Sequence, residues 1–193
     1  MIARSFFVLS ALSATAFGEP ARDGHASAEW ITGASAFEPG KPIQTGIRVK
    51  IDKGWHTYWI NPGEAGSKFK TVWTLPDGWT ASEISFPAPK RFLTGELPGY
   101  GYEDEVVFPV TLTPPATVTG TPEFSAKVSW LTCDENACVP GKVDLKLTLA
   151  APGAAEVISA AEKKVPKPVD GAKLVVREEG TTLNLTLTLP AGT

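Results

Sequence analysis

The sequence predicts an all-β fold, an immunoglobulin-like Greek-key sandwich. Three observations indicate this fold: apolar and polar residues alternate in short runs, turn-forming residues separate these runs at regular spacing, and the chain contains 17 prolines and 18 glycines. Such a content of proline and glycine disfavours long helices but suits short strands joined by turns. About seven strands at this spacing favour a sandwich, which we place at residues 28–151.

The predicted strands begin with two well-marked runs. Ile43–Ile51 alternates apolar and polar residues and is followed by the turn Asp52-Lys53-Gly54. The aromatic run Trp55–Ile60 is expected to end at Asn61-Pro62-Gly63. The remaining predicted strands are Phe69–Leu75, Ala81–Phe86, Glu105–Leu112, Glu123–Thr132 and Lys142–Leu149.

The aromatic residues of these strands are expected to form core rather than a ligand-binding surface. Trp55 and Trp59 have the same parity and so share one face of their strand, and Trp73 lies in the next strand. His56 has the opposite parity. We therefore predict that it is a solvated strand residue and not a catalytic base.

The segment after the sandwich predicts one helix and the start of a further β segment. Residues 152–170 are expected to form a helical connector and a Pro-rich linker, with the helix at Ala154–Lys164. Two apolar runs at 173–177 and 182–189 predict a hairpin. Because an isolated hairpin is marginally stable in water, residues 171–193 are expected to begin a second, truncated β domain, or alternatively to dock on the first.

The N-terminus has the pattern of a secretory signal peptide. Arg4 precedes the apolar run Phe6–Leu12, and small residues follow at Ala14-Thr15-Ala16. Residues 1–18 are therefore expected to direct export to the periplasm or another extracytoplasmic compartment, and a retained N-terminal anchor is the alternative. The mature chain could belong to a membrane-anchored parent protein.

The composition excludes several classes of function. The net charge is −3 and the lysines and arginines are scattered, which argues against a nucleic-acid partner and against a patch for anionic membranes. No Ser-His-Asp constellation and no phosphate-binding glycine loop stands out, and no cofactor is expected.

The chain contains two cysteines, Cys133 and Cys138, on either side of a short polar loop between two predicted strands. A disulfide across such a loop contributes about 2 kcal/mol in the entropic model, against more than about 4 for a loop of about 100 residues. This small stabilisation favours a redox role for the pair over a purely structural one. A structural disulfide that joins the two strands is the open alternative. A zinc site with four Cys or His ligands would need both histidines, His25 and His56, and it is not expected because His25 lies in the segment that follows the signal peptide.

The neighbours of the two cysteines predict different reactivities. Asp134 and Glu135 adjoin Cys133 and should disfavour its thiolate, whereas Cys138 lies between Ala137 and Val139. Since the thiolate is the nucleophile in disulfide exchange, Cys138 is the better candidate for attack.

Several motifs together resemble the N-terminal periplasmic domain of the DsbD family of thiol–disulfide interchange proteins. The cysteine hairpin carries the resemblance, with Trp130-Leu131-Thr132 before Cys133 and Val139-Pro140-Gly141 after Cys138. The ScsB-like branch of the family is similar over further segments, and the resemblance covers residues 28–150. These segments are 54–66, 73–79, Pro87-Ala88-Pro89 and Gly99–Glu103.

The resemblance implies a protein-disulfide reductase module in which Cys138 attacks a partner disulfide and Cys133 resolves the mixed disulfide. The implied partners are periplasmic thioredoxin-like or disulfide-isomerase proteins, including those of cytochrome complex assembly. A membrane-embedded module of the parent protein, absent from this chain, would supply the electrons.

The resemblance also implies an aromatic cap loop over the cysteines. Leu97–Glu103 lies in the corresponding region, which makes Tyr100 and Tyr102 the candidates for the cap. Glu103, together with Asp134 and Glu135, could tune the electrostatics of the site. The competing hypothesis is a secreted β-sandwich binding module with a structural disulfide. A third alternative is a periplasmic copper-handling module, since ScsB-like relatives are associated with copper tolerance.

Overall fold

In a computed structural model that describes residues 20–64, 66–147, 149 and 153–191, the chain forms two large antiparallel sheets, a separate two-stranded sheet and one short helix. The predicted signal peptide lies outside the described residues. The strands are β1 (Ala21–Asp23), β2 (Ala26–Thr32), β3 (Ile43–Ile51), β4 (His56–Gly63), β5 (Lys70–Thr74), β6 (Thr80–Ala81), β7 (Lys90–Thr94), β8 (Leu97–Glu103), β9 (Glu105–Thr113), β10 (Phe124–Cys133), β11 (Cys138–Leu147), β12 (Lys173–Glu179) and β13 (Thr182–Thr188). The helix is α1 (Ala155–Glu162).

The strand order confirms the predicted immunoglobulin-like sandwich. One sheet has the order β1-β2-β3-β9-β6, and the other has β11-β10-β4-β8-β7 with β5 also paired to β10. The neighbours β3 and β9, and likewise β4 and β10, are far apart in sequence. The chain therefore crosses repeatedly between distant strands, as Greek-key connections require.

The core lies between the sheets and is rich in aromatic rings. Phe108 on β9 is fully buried, with ring centroids 4.8 Å from Phe69, 5.2 Å from Phe86 and 5.5 Å from Tyr102. The tryptophans Trp55, Trp59 and Trp73 pack against this core, as predicted. All three are half-buried, so part of each indole ring contacts the core.

The helix is a docked element of the sandwich. Ile158 and Ala161 of α1 are buried against Ile31 of β2 and Val107 of β9. The predicted helix at 154–164 is thus confirmed, with its apolar stripe covering the outer face of the first sheet. Within the described residues, no helix has the length and apolar character needed to cross a membrane.

The C-terminal hairpin is present as predicted and pairs β12 with β13 from Lys173↔Thr188 to Glu179↔Thr182. All of its strand residues are exposed, including Leu174, Leu185 and Leu187.

Three predicted boundaries are wrong: in two cases the predicted turn residues lie inside a paired strand, and in the third uneven pairing breaks a predicted strand. The second strand does not stop at Asn61, since β4 continues to Gly63, which pairs with Gly99 after an irregularity in register. Regular structure at 81–86 is confined to Thr80–Ala81. The following residues still bond to β9, from Ser82 N to Thr111 O and from Ser85 N to Pro109 O, but with uneven spacing that breaks the ladder.

The third correction concerns β11, which begins at Cys138 and not at Lys142. Pro140 and Gly141 are inside the strand, opposite Leu131 and Trp130, and do not form the turn that starts it. The proline is tolerated because β11 is an edge strand, where one missing N–H donor leaves no neighbour unpaired. The strand therefore reaches the cysteine without a break.

The strands β1, β2, β7 and β8 were not predicted. Pro98, Gly99 and Gly101 in β8 resemble turn residues, yet this strand pairs with both β4 and β7. Gly101 is required because a Cβ atom there would collide with the carbonyl oxygen of Thr57 on β4. Close approach of two backbones, and not a turn, explains this glycine.

Candidate functional site

Cys133 and Cys138 form a disulfide across the loop end of the β10–β11 hairpin. The two residues are direct register partners, the last pair of a ladder that starts at Phe124↔Leu147, and their Cα atoms are 4.1 Å apart. The described residues contain no free cysteine. Pairing of the strands thus brings both sulfur atoms to one end of the second sheet.

The loop between the cysteines is organised by the carboxylate of Asp134. Its Oδ1 accepts hydrogen bonds from the backbone N–H groups of Asn136 and Ala137, each at 2.7 Å. These two bonds lower the pKa of the Asp134 carboxyl group. Asp134 therefore shapes the tight loop as well as placing a negative charge beside Cys133, while Glu135 is exposed at the tip.

The two cysteines differ sharply in burial. Cys133 has no exposed surface, whereas Cys138 is exposed on the edge strand β11. A large reactant such as another protein can approach Cys138 from solvent but has no access to Cys133. The geometry thus separates an outer from an inner cysteine.

His56 lies on the other side of Cys133, as its register partner on β4. It is buried, with 7 % of its surface exposed, so the prediction of a solvated strand residue is wrong. The reason is that Phe92 of β7 covers this face of the sheet, with its ring centroid 3.9 Å from that of the imidazole. Strand parity identified the face of His56 but could not show that a second hairpin covers it.

Hydrogen bonds and burial set the state of the imidazole. Its Nε2 lies 3.2 Å from the Tyr58 hydroxyl and 3.3 Å from Oγ1 of Thr94. Burial lowers the pKa of His56, and this effect exceeds the opposing attraction of the carboxylates of Glu103 and Asp134. The ring is therefore neutral near neutral pH, where it can accept a proton.

Glu103 continues the same row of residues across the sheet. It is the register partner of His56 on β8, so the row Cys138, Cys133, His56 and Glu103 spans four neighbouring strands. Glu103 is exposed and forms an ion pair with Lys90, with Nζ 3.1 Å from Oε2. It therefore faces the histidine from the far side and is separated from the disulfide by one strand.

The structure does not place the two candidate tyrosines in a cap loop, because 97–103 is the paired strand β8. Tyr102 is a core residue whose hydroxyl donates to the Pro87 carbonyl oxygen at 2.7 Å, and burial raises its pKa. Tyr100 is 36 % exposed and pairs with Arg91. The aromatic side chain that covers His56 is Phe92, which sequence reasoning missed although it stands just before the turn at Gly95.

Metal ligands do not cluster in the part of the chain that the structure describes. No group of three or more His, Cys, Asp or Glu side chains there is arranged to hold an ion. His25, the second histidine, stacks on Trp55 with ring centroids 3.5 Å apart. It therefore does not join His56 beside the cysteines.

Comparison with known proteins yields a family match and several similar solved structures, two of which are described below. Residues 27–150 match the model of the family described as thiol:disulfide interchange protein DsbD, N-terminal. The N-terminal periplasmic domain of ScsB from Proteus mirabilis is 23 % identical, with a TM-score of 0.66 over 90 % of this chain and 68 % of that one. This likeness supports the sandwich fold.

The second structure is the reduced N-terminal domain of DsbD from Neisseria meningitidis. It is 16 % identical, with a TM-score of 0.34 over 65 % of this chain and 86 % of that one. No curated protein matches the chain at a significant level.

The difference in burial predicts unequal labelling of the reduced protein. A small alkylating reagent should modify Cys138 at least about 10-fold faster than Cys133, because thiol reactivity depends on exposure and on the fraction of thiolate. Both cysteines lie in the tryptic peptide 128–142, so fragment-ion mass spectrometry of this peptide after short exposure to iodoacetamide measures both rates. Equal labelling, or faster labelling of Cys133, would contradict the assignment of Cys138 as the outer thiol.

Proposed function

The chain belongs to the family of the N-terminal domain of the thiol:disulfide interchange protein DsbD, and from this premise we propose that it is a protein-disulfide reductase module. Its Cys133–Cys138 pair passes reducing equivalents to disulfides of partner proteins in the periplasm. The observation that carries the proposal is the exposed Cys138 paired with the buried Cys133 at the loop end of one hairpin.

The division into outer and inner cysteine supports a two-step exchange. The Cys138 thiolate attacks one sulfur of the partner disulfide, so that a Cys138–partner bond forms and the other partner sulfur leaves as a thiol. The Cys133 sulfur then attacks Cys138, closing the hairpin disulfide and releasing the second partner thiol. Two electrons and two protons pass to the partner, and the module is oxidised.

Partners of the thioredoxin-like or disulfide-isomerase type suit this site. Such proteins carry their own reactive disulfides at exposed positions, and the edge position of Cys138 leaves room for a second folded protein. Reduction of the module requires an electron donor, which we assign to a membrane-embedded module of the parent protein. Delivery of electrons for cytochrome assembly would be one use of the same chemistry.

We assign the cover of the site to the β7–β8 hairpin, with Phe92 in place of the two tyrosines. Phe92 contacts His56 and lies 5.8 Å from the ring of Tyr58. The aromatic ring would restrict access to the inner side of the disulfide. Cys138 is at one end of the row Cys138, Cys133, His56 and Glu103, whereas Phe92 covers His56. A partner that docks at Cys138 would therefore need to displace the Phe92 ring only in part.

Trapping of the mixed disulfide tests the proposed function. The reduced Cys133→Ser variant should form a stable covalent complex with a purified, oxidised periplasmic thioredoxin-fold protein, because Cys138 can attack but nothing resolves the product. The matched Cys138→Ser variant should form little or none. Gel electrophoresis without reductant measures the complex. A covalent complex with neither variant, or one formed chiefly through Cys133, would overturn the proposal.

Removal of the proposed cover should increase unwanted oxidation. Phe92→Ala should raise the rate at which hydroxyethyl disulfide oxidises the reduced protein, by about 3-fold to 10-fold, because a small oxidant gains access to the inner sulfur. Tyr100→Ala is the matched control, since Tyr100 lies on the neighbouring strand but is exposed, and its rate should not change. Unchanged oxidation of Phe92→Ala would contradict the assignment of the cover.

A further inference from the structure

His56 is the titratable side chain opposite the inner cysteine. Register partners in an antiparallel pair point to the same face, and their Cβ atoms are about 4.5–5.5 Å apart. The pairing Cys133↔His56 therefore puts an imidazole within reach of the Cys133 sulfur. Both residues are buried, so bulk water is largely excluded from the space between them.

The ring is held in a fixed orientation. The hydroxyl groups of Tyr58 and Thr94 lie 3.2 Å and 3.3 Å from Nε2, and the Phe92 ring lies against the imidazole at a tilt of 40°. A hydrogen bond on one ring nitrogen fixes the tautomer and leaves the role of the other nitrogen defined. Nε2 is thus occupied by hydroxyl groups, and Nδ1 is the nitrogen that serves the sulfur.

The surroundings keep the imidazole neutral but polarised. Glu103 faces it from β8, Asp134 faces it from the loop after β10, and both carboxylates favour the protonated ring. Tyr58, from the same strand, supplies the remaining titratable group, and burial raises its pKa. Burial of His56 outweighs the two carboxylates, so the neutral ring accepts a proton, and the carboxylates stabilise the imidazolium that results.

The inner thiol needs such a base. A thiol in buried surroundings ionises with difficulty, yet only the thiolate attacks a disulfide. Resolution of the mixed disulfide requires Cys133 to lose its proton at a position without access to solvent.

Resting on the function proposed above, we propose that His56 is the base that accepts the proton of the Cys133 thiol during resolution. As the proton moves to Nδ1, the Cys133 sulfur attacks the Cys138 sulfur, and the bond between Cys138 and the partner breaks. The partner sulfur leaves as a thiolate and takes up a proton from the imidazolium or from water. His56 is unchanged at the end, and the electron pair has passed to the partner.

A two-phase reaction with dithiobis(nitrobenzoate) isolates this step. Attack by Cys138 releases a first nitrothiobenzoate, and attack by Cys133 on the mixed disulfide releases a second one. The leaving group is a stable anion, so the second phase depends on removal of the proton from Cys133 and not on protonation of the product. Stopped-flow absorbance measures both phases, and the Cys133→Ser variant should show the first phase only.

His56→Gln should slow the second phase near neutral pH by about 100-fold, the lower end of the range for general acid–base catalysis. The first phase should change by less than about 2-fold, because Cys138 is exposed and needs no buried base. The difference between the variant and the native protein should shrink as pH rises from about 7 to about 10, since Cys133 then ionises without help. His25→Gln, at the chain's other histidine, is the matched control and should leave both phases unchanged.

The outcomes separate the two proposals. Equal second phases in native protein and His56→Gln, or a slowing that is constant at every pH, would overturn the role of His56 but leave exchange by the cysteines intact. Absence of a second phase from the native protein would instead overturn the proposed function. If His56→Gln does not fold, the native protein in deuterium oxide gives the same test: the second phase should slow and the first should not, and an unaffected second phase would overturn the proposal.

Discussion

The pairing of β10 with a different strand on each side is the constraint on which the site depends. At its last residue, Cys133, this strand is paired with Cys138 of β11 and with His56 of β4. A shift of one residue in either register would turn one partner to the opposite face of the sheet. Every second residue of β10 from Phe124 to Trp130 is buried in the core. This pattern fixes the register, because only that face of the strand is apolar enough to pack there. Packing far from the disulfide thus determines which groups surround it.

This arrangement gives chemically equal cysteines unequal roles. Cys138 is on an edge strand and meets solvent, whereas Cys133 is enclosed between β11 and β4. In the exchange that we propose, access selects Cys138 as the thiol that meets a partner, and burial leaves Cys133 as the thiol that resolves the mixed disulfide. Burial also creates a cost, because a buried thiol gives up its proton reluctantly. We propose that the neutral imidazole of His56, in the same row of the sheet, accepts this proton.

The elements that sequence patterns predicted are those whose signals are local. Apolar and polar residues alternate along the full length of Ile43–Ile51. They also alternate along both strands of the cysteine hairpin, so these elements were predictable. The β8 strand was missed because Pro98 and Gly101 resemble turn residues, while the real reason for the glycine is a backbone on β4. His56 and Phe92 were missed for a related reason: alternation assigns a residue to a face but does not show which faces are covered. Their contact joins residues of β4 and β7, so it depends on tertiary packing that the pattern within one strand does not contain.

The reduction potential of the Cys133–Cys138 pair tests the central claim most directly. It is measured by equilibrating the protein in thiol redox buffers, alkylating the free thiols and quantifying them by mass spectrometry. A disulfide that exchanges electrons with partners should have a potential between about −180 and −270 mV, within the range of exchange proteins. A potential well below about −300 mV is typical of structural disulfides and would contradict the account, because such a bond would be an inert clip of the hairpin.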